Sequence, residues 1–263
     1  MAMPVTFDPL IVEQFLRYAR MVVARSYIQN TLGNIVIRAP HPDYSKHGVA
    51  YTKHAGVSLE EMTAENIVIT DIPTPELLAG NGITSVGHNL SREILRLRPD
   101  INAVIHVHDD ATIAYFGAGG AREVGVLSLD LAFILGKPVA AIPAHIDVEA
   151  DVGAVKDFIA GTNLLVLVGH GLTSIGRSVS EGYHRLNSFT AEVRRAIVAE
   201  QLAAIRGTKP AYRSAAETAE MHKFAEAIIY PKRADNVMQG HAAEPAGKDT
   251  AKQPSVAFPE SGP

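Results

Sequence analysis

Short apolar runs alternate along this chain with longer stretches in which apolar residues recur every three or four positions. The first periodic stretch follows Asp8 and Pro9, where Leu10, Ile11, Phe15, Ala19, Val22 and Val23 fall on one side of a helix. Asp8 is placed to cap it, and Pro9 suits its first position. Residues 34–38 and 49–52 read as short strands around a polar loop, and 66–70 as a β-branched core strand. The pattern over 89–97 predicts a helix, stopped by Pro99. A strand over 103–108 follows, then the start of a helix over 111–116 and a glycine-rich loop over 117–120. Strands are predicted over 139–142 and 164–168, with a helix over 150–159 between them. Residues 178–205 carry one long amphipathic pattern, entered through Gly176 and ended by Gly207, and 217–229 a last helix. Strands interleaved with helices predict an α/β fold. No internal repeat or linker interrupts residues 1–233, which read as one catalytic domain. From Ala234 the chain turns to Gly, Pro, Lys and small polar residues, which predicts a flexible tail over 234–263.

Composition narrows the chemistry. With 263 residues, 47% of them hydrophobic, the chain can bury one substantial core. A charged fraction of 20% and a net charge of −4 give no strong field of one sign, which argues against nucleic acid or an anionic membrane as the main partner. There are no cysteines, so disulfides, thiolate catalysis and Cys-based metal sites are excluded together. Any metal must sit on His, Asp or Glu. The first residues lack a signal-peptide pattern, and no apolar run is long enough to span a bilayer. A cytoplasmic protein acting on a small molecule is the expectation.

The strongest local signal is Ala103-Val104-Ile105-His106-Val107-His108. Side chains alternate across a strand, so His106 and His108 project from one face, a pleat apart. His170 ends a second apolar run in Leu167-Val168-Gly169-His170-Gly171. Three neutral imidazoles suit one divalent ion of the zinc or manganese type, with open positions for substrate. No spacing rule links His108 to His170, so the pattern alone only suggests the site.

Several ordered segments then resemble the class II aldolase/adducin family, over about Phe15 to Ala199. They are Leu32-Gly33-Asn34-Ile35, Gly56 through Glu60-Glu61-Met62-Thr63 to Asp71, Arg98-Pro99-Asp100 leading into the His106–His108 strand, His170-Gly171-Leu172, Gly176 and Glu181. The resemblance implies a central mixed β-sheet flanked by helices in a single domain. It implies that the three histidines bind metal, that Asn34 lies near substrate, and that the protein is a homo-oligomer, commonly a tetramer with sites between subunits.

The departures bear on mechanism. Family aldolases carry Pro-Ser-Ser-Glu before the Arg-Pro-Asp helix end, and its Glu is an acid/base that can touch the metal. This chain has Thr84-Ser85-Val86-Gly87 there, so Gly87 stands at the Glu position and only Ser85 survives of the serine pair. The family's Thr-Pro-Ser-Gly phosphate segment reads Lys53-His54-Ala55-Gly56, and Val36 replaces the serine of Gly-Asn-Ile-Ser. A retro-aldol step needs a positioned base. Without it, the chain resembles the family's decarboxylases of hydroxylated aromatic or pyridine carboxylates, whose substrate is chelated at the metal. In that reading His88 is the candidate proton donor. Lys53 or His54 pairs with a second carboxylate, and Ser85 and Tyr183 touch the substrate. Asp109 or Asp110 orients a ligand imidazole while the other caps the next helix. Two rivals are an aldolase cleaving a hydroxy-ketone or hydroxy-acid and a non-catalytic adducin-like assembly module.

Overall fold

A computed structural model describes residues 4–85, 87–119, 123–148 and 150–228. The tail expected over 234–263 lies outside them. The chain opens with α1 (Pro9–Val23), whose cap Asp8 accepts the Leu10 N–H. Strands β1 (Asn34–Ala39), β2 (Val49–Lys53), β3 (Ile67–Asp71) and β4 (Leu77–Ala79) follow. Next come α2 (His88–Leu97), β5 (Ala103–Val107), α3 (Asp110–Gly117), α4 (Leu129–Ile134) and β6 (Ala140–Ile142). A 3-10 turn at Val152–Val155 runs into α5 (Lys156–Gly161), then β7 (Leu164–Leu167) and β8 (Gly171–Gly176). The chain continues through α6 (Val179–Arg206) to α7 (Ala215–Ile228).

Eight strands form one mixed sheet in the order β4-β3-β2-β1-β5-β8-β7-β6. Every pairing is antiparallel except β6 with β7. Helices α1, α3 and α6 cover one face, over Ile35, Ile37, Ile105, Val107, Val166 and Leu172. Helices α2 and α5 cover the other, over Val36, Ala50, Val104, Leu165 and Ile175. Strand alternation therefore places Asn34, Thr52, Thr70, His106 and Thr173 on the α2 face.

Three differences from the sequence expectation have physical reasons. β8 reads Gly-Leu-Thr-Ser-Ile-Gly, too polar to stand out, yet all six residues are buried between β5 and β7. Its hydroxyls are satisfied locally: Ser174 Oγ donates to the Gly182 carbonyl at 2.8 Å. The helix expected over 150–159 is a 3-10 turn followed by the six-residue α5. β4 and α4 are three and six residues long, below the length at which periodicity is legible. Among the described residues no helix is long and apolar enough to cross a membrane.

Candidate metal centre

β5 is a central strand between β1 and β8, and it delivers His106 within the ladder and His108 one residue past its end. His170 comes from the three-residue turn that joins β7 to β8. Gly169 holds φ +75° there, the left-handed conformation that such hairpin turns require. Gly171 then enters β8 directly against the two β5 ligands. A Cβ on it would stand 2.4 Å from the Val107 carbonyl oxygen, 3.2 Å from His106 Cε1 and 3.3 Å from His108 Cδ2. Only glycine lets this strand begin so close to both rings.

The three imidazoles form a compact triangle. Ring centroids are 5.0 Å apart in every pair, with interplanar angles of 81°, 74° and 83°. One nitrogen from each ring lies within 4.8 Å of the others. His106 Nδ1 meets the Thr173 hydroxyl at 2.9 Å, directly across the β5–β8 ladder. That contact leaves His106 Nε2 facing His108 Nε2 at 3.1 Å.

Burial, and then the neighbouring histidines, push His106 well below its ordinary pKa. Burial, and then His170, push His108 down to about 4. Both rings are neutral near pH 7, with lone pairs free to ligate. A tetrahedral ion with bonds of about 2.0–2.1 Å sets its nitrogen donors roughly 3.3 Å apart. The His106–His108 spacing and the near-perpendicular rings fit one divalent ion.

The profile of the Class II Aldolase and Adducin N-terminal domain matches residues 13–196. The chain belongs to this family. Rat α-adducin is 26% identical over 139 residues, which is 51% of this chain and 18% of that protein. Human β-adducin is 27% identical over 137 residues, 50% of this chain and again 18% of the relative. The chain therefore spans less than a fifth of the adducins it matches. Among solved structures, YgbL from Escherichia coli aligns with a TM-score of 0.68 at 18% identity, covering 81% of this chain and 97% of that one. L-fuculose-1-phosphate aldolase from Thermus thermophilus aligns at 0.62 and 19% identity, covering 78% and 100%. These two likenesses speak to the fold.

The other residues singled out in this family member divide into those near the cluster and those elsewhere. Asn34 is the direct β1 partner of His106, and its amide nitrogen is 3.5 Å from Ser85 Oγ. Ser85 also receives the His88 N–H on its carbonyl, at the turn into α2. His54 continues the Asn34–His106 row beyond β2; its Nδ1 contacts the Ala55 carbonyl and its ring packs on Gly82. Gly87, at the family's Glu position, caps α2 without a side chain.

Lys53 has a different task from the one expected. It is fully buried, and Nζ donates at 2.7 Å to the carbonyls of both Thr31 and Val57, tying two loops together. Tyr183 is a buried residue of α6 that contacts Tyr18, Arg25 and His184. Asp109 caps α3 and pairs with Arg194, and Asp110 accepts from Gln29. Neither acid orients an imidazole; Thr173 does so for His106.

His88 is 1% exposed, and its Nε2 meets Thr70 Oγ1 at 2.8 Å. Burial, helped by Arg92, pushes it down to about 3. An imidazole held neutral through this range does not match the pKa of a proton donor working near pH 7. Among the described residues, its Nδ1, Thr52 Oγ1 and Asn34 Oδ1 are buried without hydrogen-bond partners. In the sheet register Thr70, Thr52 and Asn34 follow a diagonal across β3, β2 and β1 that ends beside His106. Each diagonal step is about 7–8 Å. Sequence reasoning missed Thr52, Thr70 and Thr173, which carry no local signal; Gly171, beside a candidate ligand, was legible.

Proposed function

We propose that the cluster holds one divalent ion, zinc or manganese, and that the chain is a metal-dependent carbon–carbon lyase. Its reaction is decarboxylation of an ortho-hydroxy aromatic or pyridine carboxylate or dicarboxylate. The observation that carries this reading is the donor set: three imidazoles with no carboxylate among the described residues, and Gly87 where the family's aldolases keep their glutamate. A retro-aldol step asks for a base of matched pKa beside the carbon that loses its proton. Glycine provides none. In decarboxylation the bond from ring carbon to carboxylate breaks, and its electron pair is captured by a proton on that carbon as carbon dioxide leaves. A divalent ion in the cluster supplies Lewis-acid stabilisation of charge on the adjacent ring oxygen.

The chain's own residues bind and orient. The Asn34 amide and Ser85 hydroxyl lie together on the His106 side of β1. His54, which continues the Asn34–His106 row, is the residue proposed to meet a second carboxylate. With His88 tied to Thr70, the proton comes from solvent reaching the ring carbon. A homo-oligomer is part of the reading, a tetramer by family likeness. α6 exposes Val198, Leu202 and Ile205 at 52%, 42% and 81%, a strip that a second copy would cover.

A second reading, the aldolase, is favoured by the retained Asn34–Ser85 pair. The test is headspace carbon dioxide from metal-reconstituted protein, with ortho-hydroxy aromatic and pyridine carboxylates set beside hydroxy-ketone phosphates. Metal-dependent carbon dioxide from a ring acid is the expected result. Aldehyde from a hydroxy-ketone with no carbon dioxide would replace the decarboxylase with the aldolase. Neither product, from protein that takes up no metal, would favour the assembly module.

A further inference from the structure

We infer that a cavity of about 330 Å³ beside His170 is the subsite for the apolar part of the molecule chelated at the histidine cluster. The inference rests on the metal-centre reading above. The cavity opens between the end of β6 and the β7–β8 turn. Its floor is Ile142, Val148 and Leu167, exposed by only 1%, 4% and 5%. Pro143, Ile146 and Val168 form its walls. His170 forms one edge, so the cavity and the donor cluster share a side chain.

The lining decides the chemical class of the occupant. Among the described residues no lysine or arginine lines the cavity, and Asp147 stands at the exposed rim, where it accepts the Ala150 N–H. Among the described lining residues a phosphate or second carboxylate would meet no lysine or arginine. An apolar group meets the buried side chains of Ile142, Val148 and Leu167. An apolar cavity of roughly 150 Å³ takes a benzene molecule, so this one has room for a ring edge with a substituent. The ligand class is therefore an amphipathic chelator, with its oxygen pair at the three histidines and its hydrocarbon against Ile142, Val148 and Val168. Charged substituents belong on the other side, towards Asn34 and His54.

The test uses full-length protein loaded with zinc and titrated calorimetrically with acetohydroxamate, butanohydroxamate and hexanohydroxamate, which share one chelating head. If the cavity takes the chain, Kd falls with each added methylene, by roughly fourfold where the group is fully buried. Val168→Asp and Ile146→Ser are then expected to bind acetohydroxamate as the wild type does and to lose the gain with chain length. Two variants guard against either one disturbing the turn that carries His170. Acetohydroxamate binding with a Kd independent of chain length would overturn the subsite and leave the metal centre standing. A chain-length gain that persists in both variants would also overturn it. No binding of acetohydroxamate at all would remove the metal reading and this inference with it.

Discussion

Two polar clusters occupy opposite ends of β5 and β8. At one end His106, His108 and His170 converge. At the other, Arg98, Arg177 and Arg185 meet Asp100, Glu181 and Glu226 around the start of β5 and the end of β8. Both are rich in titratable groups, and both include side chains that are almost wholly buried. They differ in what is left over. Arg185 donates to the carbonyls of Ile134 and Ile175 and to Glu181, and Arg177 forks between Glu181 and Glu226. Arg98 is shared among Asp100, Asn163 and the carbonyls of Ile159 and Thr162. Each charge there has its partner within the chain, and α7 is fastened to the body through Glu226. In the histidine cluster one nitrogen of His106 is anchored by Thr173, while its other nitrogen points at His108 Nε2. At one end the charges face fixed counter-charges, while at the other the histidine nitrogens face one another.

The sharpest way to break the comparison is to delete one imidazole. His106→Ala and His170→Ala are each expected to bring metal content, measured by mass spectrometry on purified protein, from one ion per chain to background, with activity lost alongside. Full occupancy in either variant would mean that the ion, if bound, sits elsewhere. At the opposite end, Arg185→Ala leaves Glu181 partly unpaired in a buried setting. Removing one partner of such a pair costs about 3–5 kcal/mol. Urea unfolding should show a loss of that order, with metal content per folded chain unchanged; a loss of metal instead would show that the two ends are coupled.

Thr173→Val tests a smaller effect. The valine keeps the shape and removes the group that orients His106, and loss of such a partner weakens metal binding by about 10–100-fold. Competition with a chromophoric chelator measures this, and unchanged affinity would show that the strand alone sets the ring. A last prediction concerns His88. Its folded pKa of about 3 lies below the ordinary histidine value of 6.5. Between those limits the unfolded chain binds the proton and the folded chain does not, so stability falls as pH drops from about 6.5 towards 3 and is untouched above that window. His88→Gln, which can still reach Thr70, is expected to flatten the melting temperature between pH 6.5 and 4. It is also expected to leave kcat near neutral pH close to wild type; a collapse of kcat with substrate affinity kept would restore His88 as the proton donor.

Legibility from sequence followed length and contrast. α1, β5 and α6 stood out because their apolar positions repeat over many residues or stand in an unbroken run. β8 did not, because a central antiparallel strand can bury Thr173 and Ser174 when neighbouring strands and α6 supply their partners. The role expected of Lys53 failed for a related reason. A lysine at a strand end reads as solvated, and nothing local says that two loop carbonyls will close over its ammonium group.

By itself the sequence determined that any metal ligands would be His, Asp or Glu, that His106 and His108 would share a face, and that the residue before His88 offers no acid. Those properties are set by residue type and by the two-residue period of a strand, both of which are local. The tertiary structure alone decided that His170 joins them, because 61 residues of chain lie between it and His108 and only the β5–β8 pairing brings the β7–β8 turn over the end of β5. It likewise decided that Thr173 rather than an acid orients His106, that His88 is sealed against Thr70, and that a cavity lined mostly by aliphatic side chains opens beside His170. Each depends on which strands become neighbours, and that is settled by burial of the whole sheet rather than by any one segment.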